Sequence, residues 1–231
     1  MAVRTKSAGR SAPRVRRFPL PSLPRRVGRY LPGWIVLIMV LAILTPQLIN
    51  STGRLLRSFR ELFAPPGVIA PLFTPEVRHW GSDIERWAGE YNLDPNLLAT
   101  VMQIESCGHP TVSSYAGAQG LFQVMPFHFA PGEDQLNPEI NAQHGADVLH
   151  QCLINFAHGD PGLAMACYNG GPSVVNKPFT AWSNQTQRYY IWGMGIYTDA
   201  SADQSQSTTL DLWLDAGGKI LCQQAASQLG M

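Results

Sequence analysis

A polar capping residue followed by proline occurs four times after residue 73, and each pair predicts the start of a helix. Proline fits the first helical position because it lacks an N–H group, and the preceding polar side chain can accept a hydrogen bond from the first turn. The four pairs are Thr74–Pro75, Asp94–Pro95, Asn137–Pro138 and Asp160–Pro161. We therefore expect at least four helices in this part of the chain.

Apolar residues recur at helical spacing within the predicted segments. The helix from residue 74 has on one face Val77, Trp80, Ile84, Trp87, Ala88 and Tyr91, and the helix from residue 137 has Ile140, Val148, Leu149, Cys152 and Phe156. Residues 185–197 predict a further helix, and a weaker one follows the Ser- and Gln-rich break at residues 201–207. No segment alternates apolar and polar residues like a strand, so the pattern predicts an all-α domain.

The strongest apolar segment lies earlier in the chain. Trp34–Leu44 contains no polar residue, and the apolar character continues to Ile49. As a helix, residues 34–49 measure about 24 Å, slightly less than the hydrocarbon core of a bilayer. No small-residue cleavage site follows directly, so we expect an uncleaved membrane anchor, with a cleaved signal peptide as the alternative. Residues 55–63 fit either a helix on the membrane surface or a continuation of the anchor.

Charge is distributed unevenly along the chain. Residues 1–33 hold nine basic residues and no acidic one, which leaves eight basic and 16 acidic residues in the rest. A basic tail directly before an apolar span predicts a cytoplasmic N-terminus and an acidic body outside the membrane. The membrane explains both features together, so we expect no nucleic-acid partner.

Glu105 is the most unusual acidic residue of the chain. It closes the predicted helix of residues 94–106 on the same face as Leu97 and Val101, where a carboxylate is poorly solvated. Gly108 ends the helix soon afterwards, which places Glu105 at the negative end of the helix dipole. Both features oppose ionisation and predict a raised pKa, as in a general acid. Taken alone, a solvated Glu in a last turn is the ordinary alternative.

Three ordered motifs give Glu105 a context. Glu105–Ser106 is followed by Ser114, Gly117, Ala118 and the run Gly120–Gln123, and later by Cys167, Tyr168 and Asn169. Over residues 74–196, their order and spacing resemble the catalytic domain of soluble lytic transglycosylases and goose-type lysozymes, glycoside hydrolase family 23. The corresponding family motifs are ES, SxxGAxGLMQ and AYN.

The resemblance implies a lysozyme-like domain that cleaves the bond between N-acetylmuramic acid and N-acetylglucosamine in peptidoglycan glycan strands. Glu105 is then the single acid and base, and the product is a 1,6-anhydromuramic end. The other acids of that region, which we interpret as solvated or capping residues, are Glu133, Asp134 and Glu139. Two alternatives remain: a lysozyme-type muramidase that uses water, and a non-catalytic glycan-binding module of an envelope assembly.

The resemblance also implies substrate-binding residues, by position: Ser114, Gln123, Tyr168 and Asn169. We expect the Tyr168 hydroxyl to contact Glu105 or the substrate acetamido group, and Gln123 to hydrogen-bond the N-acetyl side of the sugar. Asn141 and Gly145 match a family pattern that supports the core. The chain departs from the family at Phe122 in place of Met, at Cys167, and at Gln185 in place of a frequent glutamate.

Four cysteines permit three complete pairings, and a location outside the cytoplasm would allow disulfides. They are Cys107, Cys152, Cys167 and Cys222. Our hypothesis is a bond between Cys107 and Cys152, because Cys107 follows the Glu105 helix and Cys152 lies on an apolar helix face expected to pack near it. The histidines form no ligand pattern, so we expect no metal and no other cofactor.

These features divide the chain into five parts. They are a basic cytoplasmic tail (residues 1–33), a transmembrane signal anchor (34–50), a juxtamembrane linker (51–73), a catalytic domain (74–198) and a C-terminal extension (199–231). The sequence thus predicts a single-pass membrane protein with an extracytoplasmic, all-α, lysozyme-like domain behind one N-terminal transmembrane helix. Its expected partners are the cytoplasmic membrane and peptidoglycan, and the sequence does not identify protein partners.

Overall fold

Eight α-helices form most of residues 69–231, the part of the chain that the computed structural model describes. They are α1 (Pro75–His79), α2 (Gly81–Glu90), α3 (Pro95–Glu105), α4 (Pro138–Gln151), α5 (Pro161–Gly170), α6 (Asn184–Ser201), α7 (Thr208–Trp213) and α8 (Lys219–Leu229). Short 3-10 helices lie at Pro126–His128, Pro172–Val174 and Phe179–Ala181, and π-helical turns at Cys152–Phe156 and Leu214–Gly218. These described residues contain no β-strand and only two isolated bridges, so the predicted all-α class is confirmed.

The four pairs of capping residue and proline all begin helices, at Pro75, Pro95, Pro138 and Pro161. Asp94, Asn137 and Asp160 accept hydrogen bonds from first-turn N–H groups, which helix starts otherwise leave unpaired. Thr74 makes no such cap. Its N–H and hydroxyl groups instead donate to Oε1 of buried Gln103, at 3.2 Å each. Thr74 therefore links the start of α1 to α3.

The first predicted helix is divided in two at Trp80. The backbone of Trp80 leaves the helical region (φ −89°, ψ 9°), and its indole Nε1 donates to the Gly108 carbonyl at 2.9 Å. Val77, Ile84 and Trp87 are nevertheless all buried. The apolar spacing thus identified the buried face correctly but gave no sign of the break.

Helix α3, which ends at Glu105, is buried on all sides. Every residue from Leu97 to Gln103 is buried, including the polar residue Thr100. The helix contacts α1, α2 and α6. The predicted apolar stripe is therefore only part of the buried surface, and α3 is the central helix of the domain.

The buried face of α4 differs from the predicted one. Ile140 and Val148 are partly exposed and Phe156 is exposed. The residues buried in α4 are Asn141, Ala142, Gly145, Ala146 and Leu149. A Cβ atom added at Gly145 would lie 2.5 Å from Cβ of Phe122, so the loop packs directly on the helix backbone. The prediction was correct for Leu149 and Cys152, which are buried. It was wrong for Ile140, Val148 and Phe156, because close backbone approach, and not side-chain hydrophobicity alone, selects this face.

Both disulfide bonds differ from the predicted pairing. Cys107 is bonded to Cys222 and Cys152 to Cys167, with Cα–Cα distances of 5.0 and 5.7 Å. The hypothesis of a bond between Cys107 and Cys152 is wrong because the π-helical turn after α4 packs on α5, which carries Cys167. Helix α8 packs against α1 and supplies Cys222. The C-terminal segment is thereby joined to the domain two residues after Glu105.

The packed domain includes part of the predicted linker, because Ile69, Leu72 and Phe73 are buried in the core. The predicted cytoplasmic tail, the membrane anchor and residues 51–68 lie outside the described residues. Within the described part of the chain, no helix has the length and apolar character needed to cross a membrane.

Gly145→Ala is expected to destabilise the protein by about 1–3 kcal/mol, because the added methyl group would collide with Phe122 in a packed interface. Gly89→Ala is the matched control, since Gly89 also lies in a helix and nothing lies within 4 Å of its Cβ position. The control should stabilise by about 0.5–1 kcal/mol through helix propensity. Thermal unfolding followed by circular dichroism measures both, and equal effects would contradict the close contact.

Candidate active site

Glu105 occupies the last position of α3, where protein atoms surround its carboxyl group but the residue remains partly exposed. Burial raises the pKa of Glu105 from the ordinary value of 4.5 to about 8, and the nearby Tyr189 hydroxyl lowers it to a smaller extent. A carboxyl group with this pKa is mostly protonated at neutral pH.

Two tyrosines adjoin Glu105, and both stay neutral. Burial and the charge of Glu105 raise the pKa of Tyr168 and of Tyr189 well above the ordinary value. The Tyr189 hydroxyl is buried and makes no hydrogen bond within 3.5 Å to any residue that the structure describes. It is still close enough to favour the charged form of Glu105. Catalytic hydrogen bonds are often long before substrate is bound.

Tyr189 is the site residue that the sequence did not identify. It lies on α6, which packs along α3 and so brings Tyr189 to Glu105. Its place on an aromatic stretch of α6 was visible in the sequence, but helical spacing does not reveal which helix a face will contact. The available signal was its position on the same helix as Gln185 and four residues later, because Gln185 occupies a position of the family pattern.

Tyr168 lies near the end of α5, and its hydroxyl donates to the Phe122 carbonyl at 2.6 Å. The expected hydrogen bond from this hydroxyl to Glu105 is therefore not formed, because the hydroxyl donates to the loop backbone instead. The Phe122 N–H donates to Oδ1 of Asn141 at 2.9 Å. The backbone N–H and C=O groups of Phe122 are thus held by side chains from α4 and α5, respectively. Contact of Tyr168 with a substrate acetamido group stays a prediction.

The loop of residues 112–124 is fixed by buried polar side chains. Asn141 Nδ2 donates to the Gln119 carbonyl at 2.8 Å, and Ser106 Oγ donates to the Leu121 carbonyl at 2.6 Å. A Cβ atom at Gly120 would lie 2.6 Å from Nδ2 of Asn141, so glycine is needed at this left-handed position (φ 70°). The predicted supporting role of Asn141 is confirmed, and the loop is held rigidly against the end of α3.

Gln123 adopts a left-handed backbone conformation (φ 47°), which is rare for a residue other than glycine. Strain of this kind persists where the surrounding structure fixes it, often at functional sites. Its Nε2 donates to the carbonyls of Val112 at 3.1 Å and Gly120 at 3.0 Å. Both amide hydrogens are used, so Oε1 is left to accept a hydrogen bond. Its contact with a sugar stays a prediction.

Ser114 and Asn169 have different surroundings. Ser114 is exposed, and its hydroxyl accepts a hydrogen bond from the Ala118 N–H at 3.0 Å within a tight turn. Asn169 Oδ1 accepts a hydrogen bond from the Thr186 hydroxyl at 3.0 Å, which links α5 to α6 next to Tyr168. None of the described hydrogen bonds joins Ser114 or Asn169 to Glu105. Substrate contacts of both residues stay predictions.

No second carboxylate adjoins Glu105 in the part of the chain that the structure describes, since burial and one hydroxyl group account for its pKa shift. Glu133 contacts Nε2 of His144 at 2.8 Å. Glu139 forms a bidentate ion pair with Arg86, at 2.7 and 2.8 Å. These acids are therefore engaged elsewhere, and Glu139 joins α4 to α2.

One group of three potential metal ligands occurs among the described residues: Glu76, Cys107 and Cys222. The two sulfur atoms are bonded to each other, so neither is a thiolate that can bind a metal ion. This cluster is a structural joint between the end of α3, α1 and α8.

Comparison with known proteins places this geometry in a family context. The profile of the family "Transglycosylase SLT domain" matches residues 82–191. The transglycosylase of Enterobacteria phage PRD1 is 35% identical over 112 residues, which cover 48% of this chain and 40% of the relative. The membrane-bound lytic murein transglycosylase C of Glaesserella parasuis is 26% identical over 148 residues, which cover 56% and 41%. The resemblance inferred from the motifs is confirmed.

The endo-type membrane-bound lytic murein transglycosylase A of Klebsiella pneumoniae is 32% identical over 97 residues, which cover 34% of this chain and 48% of the relative. The chain thus spans less than half the length of each of these three relatives. Among solved structures, an inactive mutant of the lytic transglycosylase Slt from Pseudomonas aeruginosa overlaps 60% of this chain and 24% of its own, with 23% identity and a TM-score of 0.39. The 70 kDa soluble lytic transglycosylase from Escherichia coli overlaps 63% and 25%, with 20% identity and a TM-score of 0.39.

The free energy of unfolding should contain a contribution from Glu105 that falls as pH rises from about 4.5 to about 8. The folded protein keeps a proton on Glu105 over this range, and the unfolded chain has released it. Glu105→Gln removes the titrating group, so the stability of the variant relative to the wild type should increase across this range by up to a few kcal/mol. Urea unfolding at a series of pH values measures the difference.

Glu139→Gln is the matched control, with the opposite sign. Arg86 lowers the pKa of Glu139 to about 2, so this carboxylate stabilises the fold above pH 4.5 and loses that effect as pH falls towards 2. The control should be less stable than the wild type at pH 7 and approach it in acid. A stability difference between Glu105→Gln and the wild type that does not change between pH 4.5 and 8 would contradict the raised pKa.

Proposed function

We propose that this chain is a lytic transglycosylase that cleaves the glycan strands of peptidoglycan, because residues 82–191 match the profile of the transglycosylase SLT domain. The observation that carries the proposal is the buried carboxyl group of Glu105, whose pKa of about 8 keeps it protonated at neutral pH. A general acid must hold its proton at the working pH. The names of the relatives, which describe murein transglycosylases, support the same substrate.

One carboxyl group performs both proton transfers in this proposal. Glu105 first protonates the glycosidic oxygen between N-acetylmuramic acid and N-acetylglucosamine, and the bond from C1 to that oxygen breaks. The acetamido group of the substrate stabilises the positive charge that develops at C1. The C6 hydroxyl of the same muramic acid then attacks C1 and gives its proton to the Glu105 carboxylate. The product is a 1,6-anhydromuramic end, the acid is restored, and no water is consumed.

Two features support a single catalytic carboxylate. Ordinary glycosidases need a second acid about 5–9.5 Å from the first. Among the residues that the structure describes, the acids beside the site loop are paired with other groups, and none contributes to the pKa of Glu105. Tyr189 favours the charged form of Glu105, so we assign it the role of stabilising the carboxylate between the two proton transfers.

The residues around Glu105 supply contacts for the sugar in this proposal. Gln123 presents Oε1 as an acceptor from a rigid loop, and we assign it to the N-acetyl side of the substrate. Tyr168 and Asn169 form the adjoining wall at the end of α5, and Ser114 lies at the outer edge of the loop. These assignments follow the family positions. An Ala substitution that leaves both KM and kcat for the glycan unchanged would contradict the assignment of that residue.

We further propose that residues 34–49 anchor the chain in the cytoplasmic membrane, with the N-terminus inside and the folded domain outside. The basic tail and apolar span support this orientation. Two disulfide bonds, typical of proteins outside the cytoplasm, support the location of the domain.

We expect the full chain to stay with membranes in alkaline carbonate and the domain to be digested by protease added to spheroplasts. Release by carbonate, or protection from protease, would contradict this topology.

Glu105→Gln should reduce cleavage of purified sacculi by about 10²–10⁴-fold, because an amide cannot donate the proton. Mass spectrometry of the soluble products should show anhydro-muropeptides for the wild type. Glu133→Gln is the control, because Glu133 is a partly exposed acid that is paired with His144, and it should keep the activity. Reducing muramic ends in place of anhydro ends would identify a lysozyme-type hydrolase. Wild-type binding without cleavage would identify a non-catalytic module.

A further inference from the structure

A small solvent-open cavity of about 260 Å³ lies between the end of α5 and the start of α6. Its lining includes Asn169, Ser173, Lys177, Trp182, Gln185 and Thr186. Sites that enclose a drug-sized ligand are usually larger, at about 300–1,000 Å³. The cavity therefore suits one small polar group and not a whole disaccharide.

Residues with hydrogen-bond donors line this cavity. Among residues 69–231, Lys177 forms no ion pair, and Asn169 Nδ2 and the Gln185 side-chain amide donate to no other residue. The cavity also adjoins the first turn of the long helix α6, whose dipole contributes partial positive charge there. This set of groups matches an anionic ligand, and a carboxylate is the smallest organic one.

The lysine-bearing segment is fixed in place before any ligand binds. Trp182 is buried, and its indole Nε1 donates to the carbonyls of Val174 at 2.8 Å and Lys177 at 3.1 Å. A Cβ atom at Gly170 would lie 2.7 Å from Oγ1 of Thr186, so the opposite wall also depends on close packing. A rigid frame of this kind reduces the entropy cost of binding.

The cavity contains a lysine in a domain that is mostly acidic. Residues 69–231 contain 15 acidic and only five basic side chains. No acidic residue lines the cavity, whereas Lys177 does. Arg86, by contrast, is already paired with Glu139 and other acids. An anionic polymer is thus repelled by most of the domain and attracted at this position.

The cavity lies next to the proposed catalytic centre. Asn169 directly follows Tyr168, and Thr186 precedes Tyr189 by three residues on α6, which is about 4.5 Å along the helix axis. A ligand group in the cavity can therefore belong to the same sugar unit, or its neighbour, as the bond at Glu105.

We infer that this cavity, which we call the Lys177 site, binds a carboxylate carried by the muramic acid residues of the substrate. The inference rests on the proposed function, because peptidoglycan carries its carboxylates on the peptides joined to muramic acid. When the peptide is removed, the lactyl group of muramic acid supplies a carboxylate instead. The Lys177 site thus lets the enzyme distinguish muramic acid residues by the carboxylate they carry, on a peptide or on the lactyl group.

Equilibrium binding in the Glu105→Gln background tests the Lys177 site without turnover. Calorimetry would compare Glu105→Gln alone with the double variants that add Lys177→Gln, Lys177→Arg or Lys219→Gln in the full chain. Lys219 is the matched control because it is the other lysine of residues 69–231 and is exposed on α8. The probes are disaccharide–tetrapeptide muropeptides, the same disaccharide freed of peptide by an amidase, and muropeptides whose carboxylates have been converted to amides.

Lys177→Gln should weaken binding of the carboxylate-bearing muropeptide about three- to fivefold, the upper range for an ion pair at an exposed lysine. Lys177→Arg should restore most of it, and Lys219→Gln should have no effect. The loss should disappear with the amidated probe and shrink at high salt. A loss confined to the peptide-bearing probe assigns the carboxylate to the peptide, and a loss on the peptide-free probe assigns it to the lactyl group.

Unchanged affinity in Lys177→Gln, or an equal loss with the amidated probe, would overturn the inference. The outcome is separable from the proposed function. If the wild type does not cleave sacculi but the Lys177-dependent binding is present, the lytic activity fails and the Lys177 site stands. If anhydro products form and Lys177 has no effect on binding, the activity stands and the Lys177 site fails.

Discussion

Burial of one carboxyl group at the end of α3 is the constraint on which the rest of the structure depends. Moving an ionised carboxylate away from water is costly unless a cation compensates it. The described residues place no cation at Glu105, and Arg86 is held by acids on α2 and α4. The protein therefore keeps Glu105 neutral, with a pKa of about 8. A carboxyl group that is neutral at the working pH is able to donate a proton.

This arrangement requires a helix that is buried on all sides and yet ends at an accessible position. Helices α1, α2 and α6 contact α3, and the bond between Cys107 and Cys222 joins the C-terminal segment to its end. The loop of residues 112–124 is held at the backbone N–H and C=O groups of Phe122 by Asn141 and Tyr168. The polar groups that fix the loop are thus mostly satisfied by backbone partners. Gln123 Oε1, the Tyr189 hydroxyl and the Glu105 proton are left for a ligand.

The sequence was most informative where the structural cause is local. Capping residues and prolines act within one turn, so all four helix starts were predicted correctly, and Glu105 was found because its apolar neighbours lie on its own helix. It was least informative where distant segments meet. The buried face of α4, the two disulfide pairs and the approach of Tyr189 to Glu105 all depend on packing between helices. Spacing within one helix contains no record of its partner.

The most direct test of this account is an NMR titration of the Glu105 carboxyl carbon in the wild-type protein and in Tyr189→Phe. We expect a pKa near 8 for the wild type and a higher value for the variant, because the Tyr189 hydroxyl favours the charged form of Glu105. Tyr168→Phe serves as the comparison, since its hydroxyl donates to the Phe122 carbonyl. A wild-type pKa near 4.5 would show that Glu105 is ionised and solvated at neutral pH, and would contradict the central claim.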